Sequence, residues 1–476
     1  MKMKRVWGTA VLWWGAACGI FAQGRLETYP APDGAELNRD FTVQVRLPGD
    51  AWQPVSVYAV PVARTEGFKR RTETASMAYF DFEGEVEVQV TCHREAVRSA
   101  RIRPLSYAIV PERAEQTLTF RLDRPRNLSV EVNGDEYHNL HLFANPIDAD
   151  KPTKQKRRNL IYFGPGMHRL PGDTLNVPSG HTVYVAGGAV VNGCIRAVDA
   201  HDVNIRGRGI VRPAASAGIR VIRSRRVQVE GIITTQCPTG GSDSVVIRNV
   251  KSITHYGWGD GLNVFASNNV LMDGVFCRNS DDCTTVYGTR LGFYGPCRNI
   301  TMRNATLWAD VAHPIFIGIH GDEGKPETLE DLTYKNIDIL AHREQQIDYQ
   351  GCLAINAGDN NLVRRVRFED IRIEPVDRGQ LVNLRVWYNE KYCKAPGRGI
   401  EDVLFKNVSY TGPDPEISVI TGYSPDRAVR NIRFENLNIN GTVIADDMKG
   451  KPGYYKTADM ARFFVGNHVT GVSFAK

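Results

Sequence analysis

From residue 227 onward one short phrase of apolar and polar positions keeps returning: apolar, any, apolar, any, Asn or Gly, apolar. It first reads Val227-Gln228-Val229-Glu230-Gly231-Ile232 and recurs from Val245, Val270, Ile300, Leu332, Val366, Val403 and Ile432. Successive copies begin between 18 residues apart (227 to 245) and 37 residues apart (366 to 403), which is the repeat scale of a solenoid. Two apolar residues separated by one point to the same face of a strand, the Asn or Gly marks a sharp bend, and the next apolar residue starts a new face. Such a strand-bend-strand unit cannot bury its apolar face alone. Copies stacked ~4.8 Å apart bury a continuous core, and asparagines at equivalent bends can line up as an amide ladder. Helical period is all but absent over this half, and the leucine spacing of leucine-rich repeats is missing. The pattern therefore predicts an all-β fold, a right-handed parallel β-helix. Val229, Met272, Met302, Tyr334, Phe368, Phe405 and Phe434 should form one inward column.

The region before it has a different rhythm. Phe41–Leu47, Val55–Val60, Val86–Val90, Leu118–Leu122 and Leu128–Val132 alternate with period two between turn residues, as the strands of a small antiparallel β-sandwich do. The polar stretch Pro146-Ile147-Asp148-Ala149-Asp150-Lys151-Pro152-Thr153-Lys154 suggests a boundary. At the very start, Met1-Lys2-Met3-Lys4-Arg5 precedes an apolar run from Val6 to Phe21 that ends in small residues. That is the form of a secretory signal peptide. The expected organisation is a signal peptide at 1–23, a β-sandwich domain at 24–155 and the β-helix at 156–476. The export route ends in a periplasmic or extracellular protein, with lipidation at Cys18 as the alternative. No segment is expected to span a membrane.

Composition narrows the partners. Loss of Lys2, Lys4 and Arg5 with the leader takes the formal charge from +6 to +3, too mild a surplus to argue for nucleic acid or an anionic membrane. The cysteines at 92, 194, 237, 277, 283, 297, 352 and 393 fall in no CxxC spacing, so no thiolate metal site and no cofactor are expected, while disulfides are permitted without being implied.

The chemistry concentrates in two consecutive repeats. Trp258-Gly259-Asp260-Gly261 lies in one, and Asn279-Ser280-Asp281-Asp282-Cys283 in the next; 281 minus 260 is 21 residues, close to one short coil. Aspartates like these often cap bends or bind a cation. Three of them one coil apart repel one another, which raises at least one pKa and sets a protonated acid beside an ionised base. Glycosidic cleavage needs that division of labour. Adjacent strand residues face opposite ways, so Asp281 and Asp282 can share a cleft only at a strand end or bend.

Asp260-Gly261, the Asp281-Asp282 pair and the repeats resemble the polygalacturonase family of glycoside hydrolases (family 28) and the related dextranase family (family 49), both built on the pectin lyase-like β-helix. The resemblance covers roughly residues 160–440, and the N-terminal β-region is reminiscent of the extra domain of dextranase-like members. It implies that Asp281 is the general acid and that Asp260 and Asp282 activate water. Inversion follows, with acid and base roughly 6.5–9.5 Å apart. Two motifs of the polygalacturonase group depart from the pattern here. Its Gly-His-Gly finds only Gly318-Ile319-His320-Gly321, and its Arg-Ile-Lys only Arg372-Ile373-Glu374, of the wrong terminal charge.

Further candidates for contact with a sugar are His320, Trp258, which can stack on a sugar ring, and Asp348 and Gln350 in Gln345–Gln350. A solvated loop histidine, a core aromatic and a polar turn are their ordinary readings. The expected function is hydrolysis of a polysaccharide or oligosaccharide. Two alternatives stay open: a polysaccharide lyase acting on a uronate with the aspartates as a Ca²⁺ site, and a non-catalytic glycan-binding β-helix.

Overall fold

The computed structural model describes residues 24–67, 69–152 and 158–476. The expected leader at 1–23 and the expected junction at 155–156 therefore lie outside the described residues. From Leu160 to Ala475 the chain winds as a parallel β-helix of 28 strands in one continuous pairing network. Each coil lays down three faces. The first carries the repeated phrase, in strands such as Arg225–Glu230, Asp243–Arg248 and Asn268–Asp273. The second holds Ile233–Thr234, Lys251–Ile253 and Phe276–Asn279, and the third Thr239–Gly240, Leu262–Phe265, Thr284–Tyr287 and Ile315–Gly318.

Register on the first face matches the sequence pattern. Val229, Ile247, Met272, Met302, Tyr334, Phe368, Phe405 and Phe434 follow one another in parallel pairing, and the seven expected members of that column are all buried. Its later half is an aromatic stack, with ring centroids 4.6 Å apart between Phe405 and Phe434. The Asn positions occupy the bend after the first face. Asn304, Asn336, Asn407 and Asn436 all have left-handed φ between 52 and 55°, a conformation that Asn and Gly adopt at least cost. Asn336 Nδ2 donates to Asn304 Oδ1 at 2.8 Å and Asn436 Nδ2 to Asn407 Oδ1 at 3.0 Å. The eight described cysteines are buried and unpaired, and five of them lie in the main core as small apolar side chains.

Residues 25–146 form a five-stranded and a six-stranded sheet packed through one core that includes Val43, Val88, Phe80 and Leu142. The pairings are antiparallel except where Leu140–Pro146 runs parallel to Lys69–Glu83. That 15-residue strand, the long arm of a hairpin with Tyr58–Glu66, escaped the alternation search. The reason is burial on both sides. Ala78, Phe80 and Phe82 enter the sandwich core, while Ala75, Met77 and Tyr79 pack on Ile210, Ile233, Ile253 and Phe276 of the second face, so Met77–Phe80 reads as an unbroken apolar run in place of an alternation.

Buried charges fasten this contact. Arg208 Nε donates to Asp81 at 2.7 Å, and Arg278 Nη1 donates to Asn139 at 2.9 Å while its Nε holds Asp310 at 2.9 Å. A buried arginine left unpartnered would cost several kcal/mol, so these contacts fix how the sandwich seats on the β-helix.

Candidate active site

The corner between the second and third faces carries the acidic residues. Asp260 lies in the corner between strands Lys251–Ile253 and Leu262–Phe265, and Asp281 and Asp282 lie in the next one, between Phe276–Asn279 and Thr284–Tyr287. A corner is what lets two adjacent aspartates reach one cleft. Polar staples join the two corners: Ser280 Oγ donates to the Tyr256 carbonyl at 2.7 Å, and Asn279 Nδ2 donates to Ser252 and Thr254 hydroxyls, each at 3.0 Å. Glycine is required at 261, where a β-carbon would stand 2.3 Å from the Cys283 carbonyl oxygen. The Asp260-Gly261 dipeptide is thus a consequence of how closely the coils approach.

The three carboxylates differ in surroundings. Asp260 accepts from Asn263 Nδ2 at 2.5 Å, and its pKa is pushed up to about 7, first by burial and then by the charge of Asp282. Burial also lifts Asp281 well above the carboxylate range, helped by the charges of Asp260 and Asp282 and opposed by the Asp282 N–H and Arg70. That N–H donates to Asp281 Oδ1 at 3.0 Å. Asp282 is the most heavily hydrogen-bonded of the three. It takes the Tyr287 hydroxyl at 3.1 Å on Oδ2, and on Oδ1 both the His313 backbone N–H at 3.1 Å and His313 Nδ1 at 2.7 Å. For an acceptor carboxylate, Nδ1 carries the proton, which leaves Nε2 buried and without a partner among the described residues. His313 is held flat against Phe316, 4.2 Å between centroids, with Tyr349 edge-on at 4.7 Å.

The other expected residues fall as follows. Trp258 is 80% exposed beside Asp260, with a left-handed φ of 59°, so it is free to meet a ligand. His320 sits past the far end of the third face, edge-on to Tyr287 at 4.9 Å, and burial followed by Arg290 lowers its pKa to about 3. The side chain bonded to Asp282 is His313, not the His320 of the Gly-Ile-His-Gly segment. Asp348 is exposed on a short 3-10 turn, and its carbonyl accepts from Arg385 at 2.7 Å. Gln350 is buried, donates to the Glu344 carbonyl at 2.8 Å and keeps Oε1 free.

Sequence reasoning missed four contributors: His313, Tyr287, Asn263 and Arg70. A signal existed for His313, which stands 31 residues after Asp282 (313 minus 282) and matches the 30-residue coil step from Asn269 to Asn299 (299 minus 269). None existed for Arg70, which comes from the sandwich hairpin; a β-carbon on Gly257 would lie 3.4 Å from its Nη1. Along the outer third face, Asn263 Oδ1, Thr285 Oγ1 and Asn356 Oδ1 are also buried without partners among the described residues. Such buried atoms normally have a hydrogen-bond partner, protein or ordered water.

Known proteins match this chain in sequence pattern and in fold. Residues 219–453 match the model of glycosyl hydrolases family 28. Among solved structures, Dex49A from Penicillium minioluteum shares the fold, with a TM-score of 0.54 at 12% identity, covering 94% of this chain and 96% of that one. A family 28 exopolygalacturonase from Yersinia enterocolitica gives 0.48 at 12% identity over 82% and 96%. No curated protein sequence matches.

Proposed function

We propose, from the match of residues 219–453 to the model of glycosyl hydrolases family 28, that this chain is an exported enzyme cleaving a polysaccharide or oligosaccharide by inversion, with Asp281 as general acid. The family match supports a glycoside hydrolase with a carbohydrate substrate and favours it over the lyase and non-catalytic alternatives. The observation that carries the finer reading is the carboxylate trio on adjacent corners, with Asp281 lifted well above the carboxylate range by burial and by its acidic neighbours.

A carboxyl kept protonated near neutrality can deliver a proton to the leaving oxygen. Asp282, fixed by Tyr287 and His313, orients and deprotonates water, and Asp260 shares that role from the preceding coil. The oxygens of Asp281 and of its base stand roughly 6.5–9.5 Å apart in this reading, leaving room for the water under the sugar. Trp258 stacks on a sugar beside Asp260, and His320 and Asp348 offer polar contacts further along, while the buried Gln350 supports the turn that carries Asp348. The chain divides near residue 155 into a sandwich domain, 24–155, and the catalytic β-helix, 156–476, behind a leader at 1–23.

The test is a panel of neutral and acidic polysaccharides assayed for new reducing ends, with the first-formed anomer read by NMR. Inversion is expected, and Asp281→Asn should cost on the order of a hundredfold or more in rate with an unchanged circular dichroism spectrum. Full activity in that variant, or a retained anomer, would overturn the assignment.

A further inference from the structure

Upstream of Asp260 the same corner opens into a cavity of about 850 Å³ between the sandwich and the first coils, within the size range of ligand sites. Its β-helix wall comes from second-to-third-face corners and the strands beside them, including Arg196, Arg212 and Arg220, and its other wall from Glu36, Val60 and Met77 of the sandwich. The buried contacts through Arg208 and Asp81 hold the two walls together.

Two of the arginines are unusually placed. Arg196 and Arg220 are direct register partners on neighbouring strands of the third face, so both leave the sheet on the same side, ~4.8 Å apart at the backbone. Like charges set opposite one another are destabilising. Elsewhere in this protein stacked arginines meet carboxylates, as Arg223 does with Asp199 at 2.7 Å and Arg226 with Asp202 at 2.6 Å. Here neither arginine has an acidic partner among the described residues. Among the described residues, Arg196 Nε reaches the neutral Asn176 side chain at 3.0 Å, and Arg220 Nε is buried without a hydrogen-bond partner. The acidic residues lining the same cavity are engaged by other arginines, Glu36 by Arg212 at 3.5 Å and Asp173 by Arg169 at 3.4 Å.

The line of outward positions also ties the pair to the reaction. Continuing the parallel register one residue back from Val221, Thr239 and Val264 aligns Arg220 with Pro238 and Asn263, and the Asn263 side chain holds Asp260. At ~4.8 Å per coil, Arg220 and Arg196 lie roughly 10 and 14 Å upstream of that point, on the track an extended glycan would follow.

We propose that Arg196 and Arg220 form a distal subsite that grips an anionic substituent, a carboxylate or a sulfate ester, on a sugar two or three units from the scissile bond. This rests on the hydrolase reading above and adds to it the substrate's charge and a role for the sandwich as the far wall of the site. Two guanidiniums side by side can each donate in-plane hydrogen bonds to one oxyanion. The ligand's charge then relieves the repulsion that the pair carries when alone.

The test uses the full-length Asp281→Asn protein in calorimetry with four hexasaccharides: oligogalacturonate, its methyl ester, a sulfated galactan and an isomaltohexaose. An acidic hexasaccharide should bind more tightly than its neutral counterpart, and added salt should weaken it. Arg196→Gln and Arg220→Gln should each weaken that binding about tenfold or more, with Arg220→Lys recovering part of it. Whichever acidic ligand responds decides between carboxylate and sulfate. In the active background, Arg220→Gln should raise KM on the hexasaccharide with kcat within about threefold, and should leave a disaccharide too short to reach the subsite unaffected. Neutral ligands binding as well as acidic ones, no acidic ligand binding, or glutamine variants with unchanged affinity would overturn the proposal. Retained loss of hydrolysis in Asp281→Asn would leave the hydrolase reading standing in that event.

Discussion

Replacing His313 by alanine separates the support of Asp282 from the support of the fold. The imidazole is fully buried and gives Asp282 Oδ1 a 2.7 Å hydrogen bond from Nδ1. A hydrogen bond to a charged group is worth about 1.5–3 kcal/mol. If it holds Asp282 for attack through water, its loss lowers kcat by roughly 10- to 150-fold, at about 1.4 kcal/mol per factor of ten. The same change also removes a ring stacked 4.2 Å from Phe316 and leaves a cavity, for about 2–4 kcal/mol of stability. Two measurements divide these effects: kcat at saturating substrate, and unfolding in denaturant. His313→Asn supplies the discriminating arm, because an asparagine Nδ2 can stand near the place of Nδ1 and donate to the same oxygen. It should lose comparable stability yet recover at least part of kcat. An alanine variant that is destabilised as expected while its kcat stays within about threefold of the parent would refute the claim that His313 positions Asp282.

Four further outcomes follow from the arrangement of these residues. The general acid must be protonated, and the trio titrates as a coupled set; with Asp281 lifted well above the carboxylate range, the alkaline limb of the kcat profile, where that proton is lost, should lie well above the pH at which an ordinary carboxyl ionises. Arg70 lowers Asp281, so Arg70→Gln should move that alkaline limb to higher pH, and a limb that stays put would count against the hairpin's influence. Because the folded pKa of Asp260 is raised, stability should decline as pH climbs from about 4 to about 7, and Asp260→Asn should flatten that decline in denaturant titrations. Phe405→Ala empties a fully packed place in the aromatic column and should cost about 3–5 kcal/mol, read from the unfolding midpoint, with the active-site residues several coils away untouched.

The division between what the sequence determined and what folding decided is visible residue by residue. A period of two interrupted by Asn or Gly leaves a chain few ways to bury its apolar side, so the β-helix, the column from Val229 to Phe434 and the left-handed bends at Asn304 and Asn336 were legible. The proximity of Asp260 to the Asp281-Asp282 pair was legible too, because only a short coil separates them. Partners beyond that were not, because coil length varies: 18 residues separate two copies of the phrase and 37 another two. Sequence distance then no longer tells which side chains meet across coils, which is why the histidine on Asp282 proved to be His313 while His320 lies against Tyr287. The same holds for Arg196 beside Arg220. Residues from distant segments were further out of reach. Ala75–Phe82 is covered on both sides and so lacks alternation, and only the docking of that strand on the second face carries Arg70, near its exposed start, to the corner beside Trp258. Local pattern determines which faces are apolar; the tertiary packing of those faces alone decides which polar groups end up sharing a cleft.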